Sequence, residues 1–182
     1  MESFVEDNKK FRELILYISQ KCATDPTFGA TKLNKILFYA DFLAYANLGK
    51  AITNFDYQKL PNGPAPRRLL PIRDQMIADR ELALQQIRLL SGNIQKRTVN
   101  LRPPDLTVFT GEEVALVDEV IEAFEKAKAE VVSELSHRMV GWMSVENGES
   151  IPYHTIFLSN EELTPAEIER GRELAGQDGL LA

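Results

Sequence analysis

Among 182 residues there is one cysteine, one tryptophan and two histidines. A lone Cys22 cannot form an internal disulfide, so nothing covalent staples the chain, and a reducing compartment is expected. Cys22, His137 and His154 show none of the short spacings of a structural metal site, and no metal or cofactor is expected. No apolar run approaches the ~20 residues that span a bilayer. The start, Met1-Glu2-Ser3-Phe4-Val5-Glu6-Asp7, is acidic where a secretory leader would be basic and then apolar. The expected location is the cytoplasm, with no membrane partner. Catalytic signatures are missing too: there is no Gly-x-Ser-x-Gly elbow, HExxH, HxE…CxxC or Walker loop, and Gly63 and Gly92 stand alone. Ser136 and His137 are neighbours on a helix end, so their side chains diverge by about 100° and cannot share a hydrogen bond easily. No catalytic residue is assigned and no enzyme is expected; a hydrolase using His137 has little support.

Positive charge is also short. A net charge of −6 argues against general nucleic-acid binding, which depends on a cationic surface. The charge is uneven, with eight basic residues against three acids from Arg67 to Arg102. From Asp105 to Glu134 nine acids face only Lys126 and Lys128. What remains is ordinary for a folded chain, 44% apolar and 26% charged, with length for one domain and a real core.

Phe4, Phe11, Leu14, Ile15, Ile18 and Cys22 recur at helical spacing and predict a helix over about 4–23, stopped by Asp25-Pro26. A second helix is expected to begin with Thr31 as its N-cap and to close at Gly49. From Ile36 to Ala46 it is apolar nearly all round apart from Asp41, as a central helix would be. Ile52–Leu60 reads as a strand with Phe55, Tyr57 and Lys59 on one face. After the rigid turn at 61–66, a helix troubled by Pro71 runs to about Arg80. Leu82–Leu90 and Ile94–Leu101 form a hairpin about Ser91-Gly92-Asn93. Thr110 and Glu113 make a capping box, flanked by Phe109 and Val114. Val114, Val117, Ile121, Phe124, Val131 and Leu135 continue as one stripe, weakest at Ala127 and Lys128, where the helix can divide. Leu163-Thr164-Pro165 opens a last helix ending at Gly176, and residues 177–182 are expected to fray. The fold class expected is mainly α with a small antiparallel β element (α+β). It takes the form of a single-domain helical bundle over 1–176 with a short strand and a hairpin.

Several polar residues need explaining. Lys32 and Lys35, three apart on one side of the second helix, suit either solvent or an acidic group. That group could come from the helix beginning at Glu112 or from another protein. Asp41 among apolar neighbours needs hydrogen bonds or a cation, for which Arg67 and Arg68 are candidates. His137 at a helix C-terminus is expected to favour its charged form through the dipole. Trp142 is expected to cover the core and find a partner for its indole N–H, or to serve as an interface anchor. Tyr39, Tyr45 and Tyr57 read as core first and interface second.

Thr31-Lys32-Leu33, Lys35 through Asp41, Gly49-Lys50, Ile52-Thr53, Tyr57 and Gly63-Pro64 occur in that order, followed by Leu135-Ser136-His137, Trp142 and Ile151-Pro152-Tyr153. This order resembles the Panacea domain, the SocA-like antitoxin domain of bacterial and phage toxin–antitoxin pairs, over about residues 31–173. The resemblance implies a mostly helical domain that neutralises a cognate toxin, encoded beside it, by direct protein–protein contact without catalysis. One member delivers its toxin to the ClpXP protease. The alternative implied is therefore a phage-associated interaction module or proteolytic adaptor, with a ClpXP-type protease as partner. The signature positions carried across are Lys32, Leu33, Lys35, Tyr39, Gly63, Pro64, His137 and Trp142, mostly as fold determinants. For toxin contact the candidates are Lys32, Lys35, Tyr39, Tyr57, Arg67 and Arg68. Many relatives have an extra N-terminal DNA-binding segment, whereas this chain starts almost at the domain, so direct DNA binding is not expected. The ending Gly179-Leu180-Leu181-Ala182 looks somewhat like the Leu-Ala-Ala tail read by ClpX and is a candidate degradation handle.

Overall fold

The computed structural model describes residues 5–125, 127–161 and 164–177. Phe4, Lys126, Leu163 and residues 178–182, which carried parts of the expectations above, lie outside the described residues. Asp7 starts α1 (Asn8–Lys21), its carboxylate accepting from Lys10 N at 2.9 Å. Phe11, Leu14, Ile15 and Ile18 bury its inner face. The next helix, α2 (Ala30–Leu48), has buried side chains on nearly every side, including Leu33, Ile36, Leu37, Phe38, Ala40, Phe42 and Ala44. It starts earlier than expected. Gly29, not Thr31, is the N-cap; its carbonyl accepts the first helical bond, from Leu33 N, and glycine has no side chain with which to cap the free N–H groups of the first turn. A Cβ at Gly29 would lie 2.8 Å from Gln95 Cγ, so the hairpin's approach favours glycine there. Gly49 closes α2 at φ +75°, as the sequence led us to expect.

The strand expected over 52–60 shrinks to β1 (Tyr57–Gln58), paired antiparallel with β2 (Ala65–Pro66). Asn54 at φ +55° breaks the extended run. The inward pattern survives at Phe55 and Tyr57, but Lys59 is only half-buried. A segment at 148–151 lies along the other side of β1, with Lys59 N donating to Glu149 O and Ile151 N to Tyr57 O. Pro71 is accommodated in the first turn of α3 (Leu69–Ala78), where a backbone N–H would have no intrahelical partner. The hairpin forms as β3 (Leu82–Arg88) and β4 (Ile94–Asn100), turning at Gly92 with φ +85°.

Both halves of the capping box close on α4 (Gly111–Phe124). The long apolar stripe then breaks at its weak point, and α5 (Ala129–His137) follows. Across the break the buried register slips by one residue. Val117, Ile121 and Phe124 are buried, but Val131 and Leu135, expected to continue them, are 47% and 43% exposed. Val132 and Ser136 face inward instead. A short α6 (Val140–Met143), a 3-10 turn at Tyr153–Phe157 and α7 (Pro165–Gln177) complete the chain. The fold is thus mainly helical with two small antiparallel sheets. Among the described residues no helix is long and apolar enough to cross a membrane.

Candidate functional site

The sequence-marked polar residues collect along one helix, α2, and the elements that cover it. Near its start Lys32 is fully buried. Its ammonium donates to Asp25 Oδ2 (2.5 Å), Thr27 Oγ1 (2.9 Å) and the carbonyl of Glu125 (3.0 Å). Three donors meet three acceptors. Burial pushes the Asp25 carboxyl upward, but hydrogen bonds from Lys32 and Thr27 outweigh it and hold the pKa below its ordinary value. The acid that answers Lys32 is therefore Asp25, from the turn before α2, and not one from the helix beginning at Glu112.

One turn on, Lys35 is also buried, but its Nζ donates only to Pro64 O, at 3.0 Å. No carboxylate pairs with it among the described residues, and burial brings its pKa down to about 7. The turn carrying Gly63 and Pro64 sits directly on this amine. Gly63 has φ +94°, and a Cβ there would lie 2.6 Å from Lys35 Nζ and 2.5 Å from Ser136 Oγ. Only glycine suits both the backbone and the space. Ser136 is fully buried, and its hydroxyl donates to Ser133 O at 2.7 Å. The serine hydroxyl and the lysine amine are close neighbours, yet each is committed to a backbone carbonyl.

Beside this pair His137 stacks on Trp142, with ring centroids 4.2 Å apart, while Lys59 Nζ sits 4.3 Å from the indole centroid. Lys59 also donates to Val145 O at 2.8 Å. Neither His137 Nε2 nor Trp142 Nε1, both shielded from solvent, has a hydrogen-bond partner among the described residues. The indole covers the core as expected, without the partner expected for its N–H. The histidine departs further: its pKa is lowered, first by burial and then by the charge on Lys35, with Lys59 adding to it and Glu134 opposing. Local desolvation and two cations outweigh the helix-end dipole.

Asp41, at the middle of α2, has no cation beside it among the described residues. It accepts from Thr53 N (2.7 Å), Thr53 Oγ1 and the hydroxyl of Tyr57 (2.8 Å). Burial raises its pKa to about 6 against the pull of these bonds. The proposed counter-cations are engaged elsewhere: Arg67 Nε holds Asp56 at 2.6 Å and Arg68 holds Glu6 at 2.6 Å. Arg67 also donates to Gly148 O and Ser150 Oγ, bracing the segment beside β1. Tyr39 is half-buried, edge-on to Phe124, and burial raises its pKa to about 12. Tyr57 is 1% exposed and Leu33 is 2% exposed. Of the six residues named for partner contact, three (Lys32, Lys35 and Tyr57) therefore lie inside the fold, and Arg67 and Arg68 are exposed but ion-paired.

Sequence reading missed Asp25, Thr27, Thr53, Lys59 and Ser136. In the sequence Asp25-Pro26 signals no more than a helix stop, and nothing in a linear pattern shows that Lys59 crosses to Trp142. Among the described residues, no three His, Cys, Asp or Glu side chains are grouped to hold a metal.

The model of one family, described as "antitoxin SocA-like, Panacea domain", matches residues 33–143, more than half of the chain. The match takes in Lys35, Tyr39, the Gly63-Pro64 turn, His137 and Trp142, and begins one residue after Lys32. No curated protein and no solved structure gives a match. Most of the residues that organise the interior around α2, though not the Lys32–Asp25–Thr27 site at its start, fall inside this match, and the chain belongs to the antitoxin SocA-like, Panacea domain family.

Proposed function

We propose that this chain is a cytoplasmic antitoxin that neutralises a cognate protein toxin by direct contact and performs no catalysis. The observation carrying this reading is the family match over residues 33–143. The site geometry agrees with it. The titratable and nucleophilic groups that could have suggested chemistry, Lys35, Ser136 and Asp41, are buried and spend their hydrogen bonds on the fold itself. The signature residues Lys32, Leu33, Lys35, Tyr39, Gly63, Pro64, His137 and Trp142 act as determinants of one scaffold spanning 1–176. The surface they support meets the toxin.

Co-expression with the product of the neighbouring gene tests this. The neighbour alone should arrest growth, and this chain should restore it. A neighbour that is harmless alone, or that remains toxic in its presence, overturns the reading. Toxin abundance in the rescued cells separates masking, which leaves it unchanged, from delivery to a ClpXP-type protease, which lowers it.

A further inference from the structure

A groove of about 470 Å³ opens between the turn before α2, the tip of the β3–β4 hairpin and the start of α5. Its size falls within the range of about 300–1,000 Å³ usual for ligand pockets. Pro26, Leu89, Ile94 and Ala129 give it apolar walls. Ile94 is 55% exposed, and Leu90 at the adjacent hairpin tip is fully exposed. The floor is fixed: Gln95 donates to Pro26 O at 3.1 Å and lies against Gly29.

The charge around this groove is unspent. Lys96 and Lys128 line it, both are exposed, and neither has an ion-pair partner among the described residues. Glu130 is the one acid in the lining. Helices α2 and α5 both begin at the rim without a side-chain cap, which adds their partial positive ends to the two ammonium groups. Elsewhere on this net-negative chain many cations are engaged: Arg12 with Asp79 and Glu81, Lys21 with Asp118, Arg68 with Glu6, Arg102 with Glu13 and Glu81.

We infer that this groove is a docking site for an acidic, aliphatic segment of a partner protein. Aliphatic side chains of the segment cover Leu89 and Ile94, and its carboxylates meet Lys96 and Lys128. Identifying that partner with the toxin rests on the antitoxin reading above, whereas the groove's chemistry does not.

The test uses the full chain and a fluorescein-labelled peptide, Asp-Leu-Glu-Ile-Asp-Leu-Glu, followed by fluorescence anisotropy. The wild type should bind it, and the Lys96→Glu/Lys128→Glu variant should bind about tenfold more weakly, equivalent to about 1.4 kcal/mol. Lys50→Glu/Arg80→Glu, an equal charge change at exposed positions outside the groove lining, should leave binding unchanged. Circular dichroism checks that all three are folded. Absence of binding to the wild type overturns the inference, as does an equal loss in both variants. So does an oligo-dT strand that displaces the peptide better than unlabelled peptide does, since that would mark a nucleic-acid surface. In the co-expression assay, Lys96→Glu/Lys128→Glu should fail to neutralise a toxin that the wild type neutralises; equal rescue removes the toxin from this groove. If the wild type itself does not rescue, the antitoxin reading falls and the peptide measurements still judge the groove.

Discussion

Lys32 and Lys35 sit three residues apart on one helix, and both are buried to within 1% of complete. Their surroundings differ sharply. Lys32 meets a carboxylate, a hydroxyl and a carbonyl; Lys35 meets one carbonyl. Burying an ammonium is costly unless it is paired and hydrogen-bonded. The first lysine therefore lives in a complete ion-pair site, and the second in a site suited to a neutral amine. Equal burial on one helix does not imply equal charge. What decides is whether a neighbouring element brings a carboxylate, and among the described residues only the 25–27 turn does.

The comparison breaks most visibly on removal of each amine. Lys32→Met strands Asp25, whose side chain is 4% exposed, and should cost about 3–5 kcal/mol in urea unfolding, the range for a broken buried pair. Lys35→Met leaves only the Pro64 carbonyl unserved and should cost about 1–2 kcal/mol, less whatever desolvation it relieves. Equal losses would show that Lys35 has a counter-charge after all.

A pH titration sharpens the same contrast. The Lys35 pKa falls from 10.5 to about 7 on folding. Between these values the unfolded chain holds a proton that the folded chain has released, so stability rises with pH. From pH 7 to 9 the unfolding free energy should climb by up to about 1.4 kcal/mol per unit. Asp41 is already largely ionised in this window, and the Cys22 thiol, raised by burial to about 11 from 9, begins to oppose the climb only as the pH nears 9. In Lys35→Met the climb should vanish; a wild-type profile flat between pH 7 and 9 would place a charged amine at this position.

How much of this was legible depends on range. The capping box of α4, the Gly49 stop and the hairpin about Gly92 are set by residues within a few positions, and each appears where the pattern put it. The slip between α4 and α5 was not legible in detail. The stripe's weak point marked the break, but the four-residue interval between Phe124 and Ala129 sets a phase no helical wheel contains, so Val132 and Ser136 take the places expected for Val131 and Leu135. The partners of the polar residues were less legible still. Asp25 answers Lys32 from seven residues away, but Pro64 answers Lys35 from 29, and Lys59 reaches Val145 across 86. Pairings of that separation follow from packing, and a single sequence carries no pattern for them.

The smallest expected effect concerns His137, which tests whether the under-served region around Lys35 is one electrostatic unit. Lys35, Lys59 and Glu134 are the charges acting on the imidazole, and the indole of Trp142 covers its face. Its pKa is lowered from the ordinary 6.5, so the unfolded chain takes up a proton first as pH falls, and stability drops. Asp41 acts in the opposite sense. Its pKa is raised to about 6 from 3.8, so its contribution is greatest in acid and is lost as pH rises through 6. Comparison with His137→Phe, which keeps a flat ring against Trp142 and the same Asp41, isolates the histidine. Between pH 6.5 and 5 the wild type should lose more stability than the variant, by less than about 1 kcal/mol, followed through the emission of the single tryptophan. Identical slopes in the two proteins would mean that the imidazole does not feel the lysines, and that the cluster is held by stacking alone.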